Sequence, residues 1–269
     1  MKLSIFIAFI LLSVGSPVLA TSISCDYSQS SNAPGVNCCP AEGSSGDLII
    51  PDGVTSLPDI AFAKCSTLTS VIMPDSVTQM GYAALALCDN LVSIKLSSSL
   101  TAIPNSAFFN GTSLTSVTIP NGVTTLGTEV FRGCYSLASV KLSTSLTALP
   151  DNTFYNCTSL SSIDIPDSVT QFGNFVFGEC HSLVSVVIPN SVTQLASGTF
   201  AGCSNLTSVT LSSSLTLMID FTFYQCTSLT TVVIPNSVTL MGGGTFAGCS
   251  SLTSVTLSNT LTALSGYTF

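Results

Sequence analysis

Charge is what this chain has least of. Only 7% of its 269 residues are charged, and tryptophan is absent. Lys and Arg together number 5, against 13 Asp and Glu, for a formal charge of −8. No basic stripe exists to hold nucleic acid or an anionic membrane surface. The catalytic inventory is equally thin. His181 is the sole histidine, and a Ser-His-Asp site would have to use it, yet the chain has no G-x-S-x-G context. Gly242-Gly243-Gly244 lacks the following Lys of a phosphate loop. Asp52, Asp75 and Asp167 are scattered through turn-like stretches, with no isolated pair for acid–base work. The expectation is no enzyme, no cofactor and no metal.

Long apolar runs are also missing, with one exception. Residues 1–20 read as a secretory signal: Lys2 supplies the positive start, Leu3 to Val14 is almost wholly apolar, and Val18-Leu19-Ala20 fits small-residue cleavage. No second such run follows, so no membrane insertion is expected after cleavage, and the mature chain is expected at Thr21 in an extracellular or cell-surface setting.

What the chain has in excess is order. Leu68, Leu91, Leu114, Leu137, Leu160, Leu183, Leu206, Leu229 and Leu252 recur every 23 residues. With each Leu as position 0, positions 3 and 5 are apolar, position 9 is Val or Leu, and position 12 is Leu, Ile, Met or Phe. Position 17 is Phe in nine of ten repeats, Leu85 being the exception. Position 20 is Cys in eight of nine, Gly111 being the exception. The first repeat begins at Ser45 without the leading Leu, and the tenth runs to Phe269. Each unit reads as a short alternating strand, a Pro-Asp-Ser, Pro-Asn-Gly or Ser-rich turn, a second extended piece, and an apolar-small segment expected to form one turn of helix or 3₁₀, or an irregular outer side. One unit cannot bury its own apolar face. Ten stacked coils can, through parallel strand ladders and a continuous core, giving a solenoid on the order of 45–50 Å long.

The stretch L-T-S-V-T-I-P-N-G-V-T-T-L-G-x-x-V-F-x-G-C at Leu114 to Cys134 resembles the BspA-like, treponemal-type leucine-rich repeat. The resemblance covers 45–269. It implies a β-rich leucine-rich-repeat solenoid whose strand face is concave and carries binding. Relatives of this kind are often surface antigens or adhesins, so the implied partner is a protein or glycoconjugate.

Two columns face outward on that strand. Position 2 is Ser or Thr in nine consecutive repeats, among them Ser93, Ser116, Ser139 and Ser162. Position 4 varies, with Lys95, Thr118, Lys141 and Asp164 at its centre. These eight are the candidate ligand-binding residues, and Lys141 and Asp164 could pair across adjacent rungs. Position 10 is Thr in all ten repeats. Its hydroxyls suit extended backbone, and the alternative reading is a structural, polysaccharide- or ice-associating protein using the Thr and Ser ladders. Asn110, Asn156 and Asn205 match the N-glycosylation acceptor.

The 11 cysteines divide by the same period. Cys65, Cys88, Cys134, Cys157, Cys180, Cys203, Cys226 and Cys249 lie on the lattice and are expected as a stack of buried thiols. Cys25, Cys38 and Cys39 fall in 21–44, a Cys/Ser/Gly-rich segment read as an N-terminal cap pinned by Cys25 to Cys38 or Cys39. No matching cap is evident at the C-terminal rung, which offers a route to self-association.

Overall fold

The computed structural model describes Cys39 and residues 46–269. The signal segment, Cys25 and Cys38 lie outside the described residues.

Each 23-residue unit is one rung of a parallel β-solenoid, numbered here from 1 at Ser45 to 10 at Leu252. Strands at positions 2–4 form a first ladder: β1 (Asp47–Ile49), β3 (Ser70–Ile72), β5 (Ser93–Lys95), β7 (Ser116–Thr118), β9 (Ser139–Lys141), β12 (Ser185–Val187), β14 (Ser208–Thr210), β16 (Thr231–Val233) and β18 (Ser254–Thr256). Strands at positions 11–12 form a second: β2 (Ser56–Leu57), β4 (Gln79–Met80), β6 (Ala102–Ile103), β8 (Thr125–Leu126), β10 (Ala148–Leu149), β11 (Gln171–Phe172), β13 (Gln194–Leu195), β15 (Leu217–Met218) and β17 (Leu240–Met241). Every pairing is parallel and in register at a 23-residue offset, as in Val117↔Val140 and Leu149↔Phe172.

The core is the set of inward columns. Positions 0, 3, 5, 9, 12, 17 and 20 of the central rungs are buried, as in Leu137, Val140, Leu142, Leu146, Leu149, Phe154 and Cys157. The Phe column is a stack of near-parallel rings from Phe108 to Phe246, with centroids 5.3–5.6 Å apart. Phe269 continues it at 5.7 Å with its outer side exposed. This offset stacking adds to simple burial of apolar area.

Of the forms expected for the outer segment, helix, 3₁₀ or irregular, the structure has the irregular one. Among the described residues there is no helix, and positions 14–19 form an arc of consecutive turns. The cause is backbone sign. Positions 15 and 19 have positive φ in every rung that reaches them, including Asn152 (55°), Asn156 (61°), Phe175 (52°) and even the β-branched Ile60 (51°). A left-handed residue every four positions cannot propagate an α-helix.

What the arc gains is a third ladder, made of turns. The N–H groups of positions 15, 17 and 19 donate to the carbonyls of positions 14, 16 and 18 in the next rung, as in Glu129 to Asp151, Phe131 to Thr153 and Gly133 to Tyr155 at 2.9–3.0 Å. This pattern recurs at every junction. Asp or Asn at position 14 adds a side-chain acceptor: Asn105 Oδ1 takes the N–H of Thr128 at 2.9 Å and Asp151 Oδ1 that of Asn174 at 2.7 Å. The glycine one residue earlier permits that approach. A Cβ on Gly127 would lie 2.2 Å from the Asn105 backbone nitrogen.

The two strand ladders, by contrast, are segmented. Ser97, Ser143, Ser212 and Ser258 replace Pro at position 6, and each is buried with its Oγ donating to a carbonyl of the rung below at 2.6–2.7 Å. Asp75, Asn121, Asn190 and Asn236 in those lower rungs accept the N–H of the residue after each Ser. That residue, Ser98, holds the Asp75 carboxyl below its ordinary value by backbone and side-chain hydrogen bonds. Pro-rungs and Ser-rungs are thereby clasped in pairs. The first ladder weakens where a Pro-rung follows a Ser-rung: β5 and β7 share one register pair, and β14 and β16 share none. Rung 6 has no first-ladder strand at all.

Candidate functional site

The strand face places the predicted residues side by side. Ser93, Ser116, Ser139 and Ser162 are exposed, as are Lys95, Thr118, Lys141 and Asp164, while the intervening Val117, Val140 and Ile163 are buried. The alternation of a strand thus delivers two outward files two residues apart. Ser162 and Asp164 lie on rung 6, outside any strand, although the alternation of burial continues through them. Further along the position-4 file, Ile49, Val187 and Val233 are 61–65% exposed. The charged group is therefore bracketed by apolar side chains at both ends, a feature that the period alone does not single out.

One expected contact is absent. The ion pairs among the described residues are Arg132–Glu129 and the weaker contact of His181 with Glu179. Lys141 and Asp164 do not pair. Rung 6 carries no strand to pair with β9, so the two residues are not held in ladder register.

The hydroxyl columns differ in how they are used. From Ser93 onward, the position-2 hydroxyls of the strand face make no hydrogen bond to protein, whereas six of the ten Thr hydroxyls at position 10 turn back on the backbone. Thr78 Oγ1 donates to the Thr55 carbonyl at 3.2 Å, Thr170 to Thr147 at 3.2 Å and Thr216 to Thr193 at 3.1 Å.

The cysteines are buried, with one correction. Cys65 is not a free thiol: it forms a disulfide with Cys39, Cα atoms 5.2 Å apart. Cys39 is therefore not the partner of Cys25. It reaches instead to rung 1 of the array. The other seven lattice cysteines are free and buried. Each Sγ donates to the carbonyl of a position-17 residue 26 residues earlier at 3.0–3.2 Å, as from Cys157 to Phe131. Desolvation pushes the thiols of Cys134 and Cys180 up to about 12. Gly111 interrupts the stack, and its absent side chain is 3.8 Å from where Cys134 Sγ sits.

His181 is half-exposed, with Nδ1 2.9 Å from the Gly202 carbonyl and Nε2 3.5 Å from Glu179. No hydroxyl or thiol nucleophile contacts it. Among the described residues, no three His, Cys, Asp or Glu side chains gather as metal ligands, and no helix is long and apolar enough to cross a membrane. Asn205 is exposed, while Asn110 and Asn156 are half-buried at left-handed positions of the turn arc. Shallow cavities occur among the described residues. One of about 220 Å³ lies beside Phe246 and Phe269, and one of about 310 Å³ is lined by Thr170, Gln171, Phe172, Thr193 and Gln194. Neither was foreseen from the repeat.

No curated protein matches the chain. Among solved structures, the pneumococcal vaccine antigen PcpA is similar at 24% identity and TM-score 0.59, over 79% of this chain and 57% of that one. A leucine-rich-repeat protein of T. pallidum is 26% identical with TM-score 0.47, over 82% and 84%. A leucine-rich cell-surface protein of Faecalibacterium prausnitzii is 21% identical with TM-score 0.47, over 80% and 88%. The PcpA likeness is one of fold. The BspA type leucine-rich-repeat region, in six copies, matches residues 37–161 and 147–269. With its 23-residue rungs, buried Phe and Cys columns and this match over most of its length, the chain belongs to the BspA-type leucine-rich-repeat family.

Proposed function

We propose that this protein is displayed on or released from the cell surface and recognises a protein or glycoconjugate through its strand face, without catalysing a reaction. The observation that carries the reading is the unspent row of position-2 hydroxyls beside the variable position-4 file. Hydroxyls without internal partners can bond a ligand at no loss to the fold. Variation on an otherwise uniform scaffold is where specificity can reside. Lys95 and Lys141 stand two rungs apart without an acidic partner within ion-pair distance, in a chain that has 5 cations in all. Charged groups of this kind steer encounter and select partners. The surface setting is supported by the apolar leader at 1–20 and by the cell-surface description of the F. prausnitzii protein.

The test is an array of matrix proteins and glycans probed with the secreted chain. A K95E/K141E variant is expected to lose at least tenfold in affinity for the ligand found, and T124A/T170A to bind as the parent does. The reverse outcome would transfer the activity to the Thr column and overturn the proposal.

A further inference from the structure

The junction between rungs 6 and 7 differs from the rest. Rungs 1–2, 2–3, 3–4, 4–5, 5–6, 7–8, 8–9 and 9–10 each keep at least one paired strand ladder. Between rungs 6 and 7 neither ladder pairs: rung 6 has no first-ladder strand, and β11 does not pair with β13. The turn arc still closes this junction, through Phe175 to Ser197, Phe177 to Thr199 and Glu179 to Ala201 at 2.7–2.9 Å. The coils are therefore joined along the arc and part on the side of the second ladder.

The cavity of about 310 Å³ lies at that parting. At the junctions of rungs 3–4, 5–6, 7–8 and 8–9 an N–H at position 13 reaches the position-12 carbonyl of the rung below, as from Gly173 to Leu149 and Ile219 to Leu195, both 2.8–2.9 Å. Ala196 makes no such bond to Phe172, nor Thr193 to Thr170, although both N–H groups are present. Phe172 lines this junction and is the one aromatic residue of the position-12 column, otherwise Leu, Ile or Met. Its ring packs edge-on against Phe177 of the same rung, centroids 6.1 Å apart.

We infer that this seam is a subsite for one neutral pyranose unit of a glycan, distinct from the strand face. Its lining carries no charge: two exposed carboxamides on adjacent rungs, Gln171 and Gln194, and the hydroxyl of Thr193, none with a partner in the protein, plus the unmet carbonyls of Thr170 and Phe172. Carboxamides both donate and accept, as do the neighbouring hydroxyls of a sugar ring. Phe172 adds an apolar floor for the ring's C–H face. The volume lies at the small end of ligand sites, that of a single ring.

Saturation-transfer NMR on the full secreted chain tests this, with methyl glycosides of glucose, galactose, mannose and N-acetylglucosamine and a methyl glucuronide as the charged arm. At least one neutral glycoside is expected to bind saturably. Its affinity should fall at least tenfold in Q171A/Q194A and stay unchanged in Gln79→Ala, the equivalent residue of rung 2, and in K95E/K141E. The last comparison keeps the subsite separate from the strand face. No saturable transfer, transfer from the glucuronide alone, binding that survives Q171A/Q194A, or an Ala196 amide as protected as that of Ile219 would each overturn the proposal.

Discussion

A thiol in this solenoid is an apolar residue with one hydrogen to place. Cys157, at the middle of the stack, donates that hydrogen to the Phe131 carbonyl at 3.1 Å, which also accepts the N–H of Cys134 at 3.1 Å. Burial raises its pKa well above the ordinary 9.0. The thiolate is the reactive form. Iodoacetamide at pH 8 is therefore expected to spare the seven free cysteines of the native protein and to modify all seven in denaturant, as read by intact mass. The same shift sets an alkaline limit. Above about pH 9 the unfolded chain releases thiol protons that the folded chain retains to about 12 at Cys134 and Cys180. The folded state then holds more protons, so stability falls as pH rises through that window. Urea midpoints at pH 8 and 10.5 should show the drop. Replacing a stacked ring removes contacts with rungs on both sides, so Phe154→Ala should cost about 3–5 kcal/mol. The burial of Phe and Cys was readable from the period, since a column repeating every 23 residues must face one environment. The disulfide to Cys39 was not, because Cys39 lies off the lattice.

The rung's elements show where local reading succeeded and failed. Both strands fell where alternation put them. The arc took the irregular one of its expected forms, although Ala-, Phe- and Cys-rich stretches look helical by composition. The missed signal was spacing: Asn152 and Asn156, Gly198 and Gly202, and Gly244 and Gly248 mark two left-handed positions four residues apart. Residues tolerant of that conformation stand there in some rungs and so disclose it for all. The clasping of rungs in pairs was legible only as an unexplained exchange of Pro for Ser at position 6. Ser143 Oγ, on a buried side chain, donates to the Val123 carbonyl and accepts the N–H of Ser145 at 3.1 Å. Ser143→Ala should therefore cost about 1–3 kcal/mol by urea unfolding, since both partners are left unmet. Thr144→Ala, exposed beside it, should change stability by less than about 0.5 kcal/mol.

At the scale of the whole molecule, contacts run between neighbouring rungs, so the array is close to one-dimensional. Removing one complete period is then a small change and removing part of one is not. Deleting residues 183–205 joins rung 6 to rung 8 in register and should leave a cooperatively unfolding protein with the parent's circular dichroism. Deleting residues 183–202 turns each later side chain to a wrong place in its coil and should abolish the transition. The candidate binding face was legible from its outward columns, while the seam at rungs 6 and 7 was hidden because no residue of the repeat marks where both strand ladders lapse. The turn arc has an electrical consequence. Its backbone-to-backbone N–H bonds between rungs, from positions 15, 17 and 19, all point toward the following rung, three at each of eight junctions and two at the ninth. Peptide dipoles aligned in one sense add, as they do along a helix. The stack is thus polarised from head to tail, its rung 10 end partly positive and its rung 1 end partly negative, and this holds irrespective of which side chains decorate it.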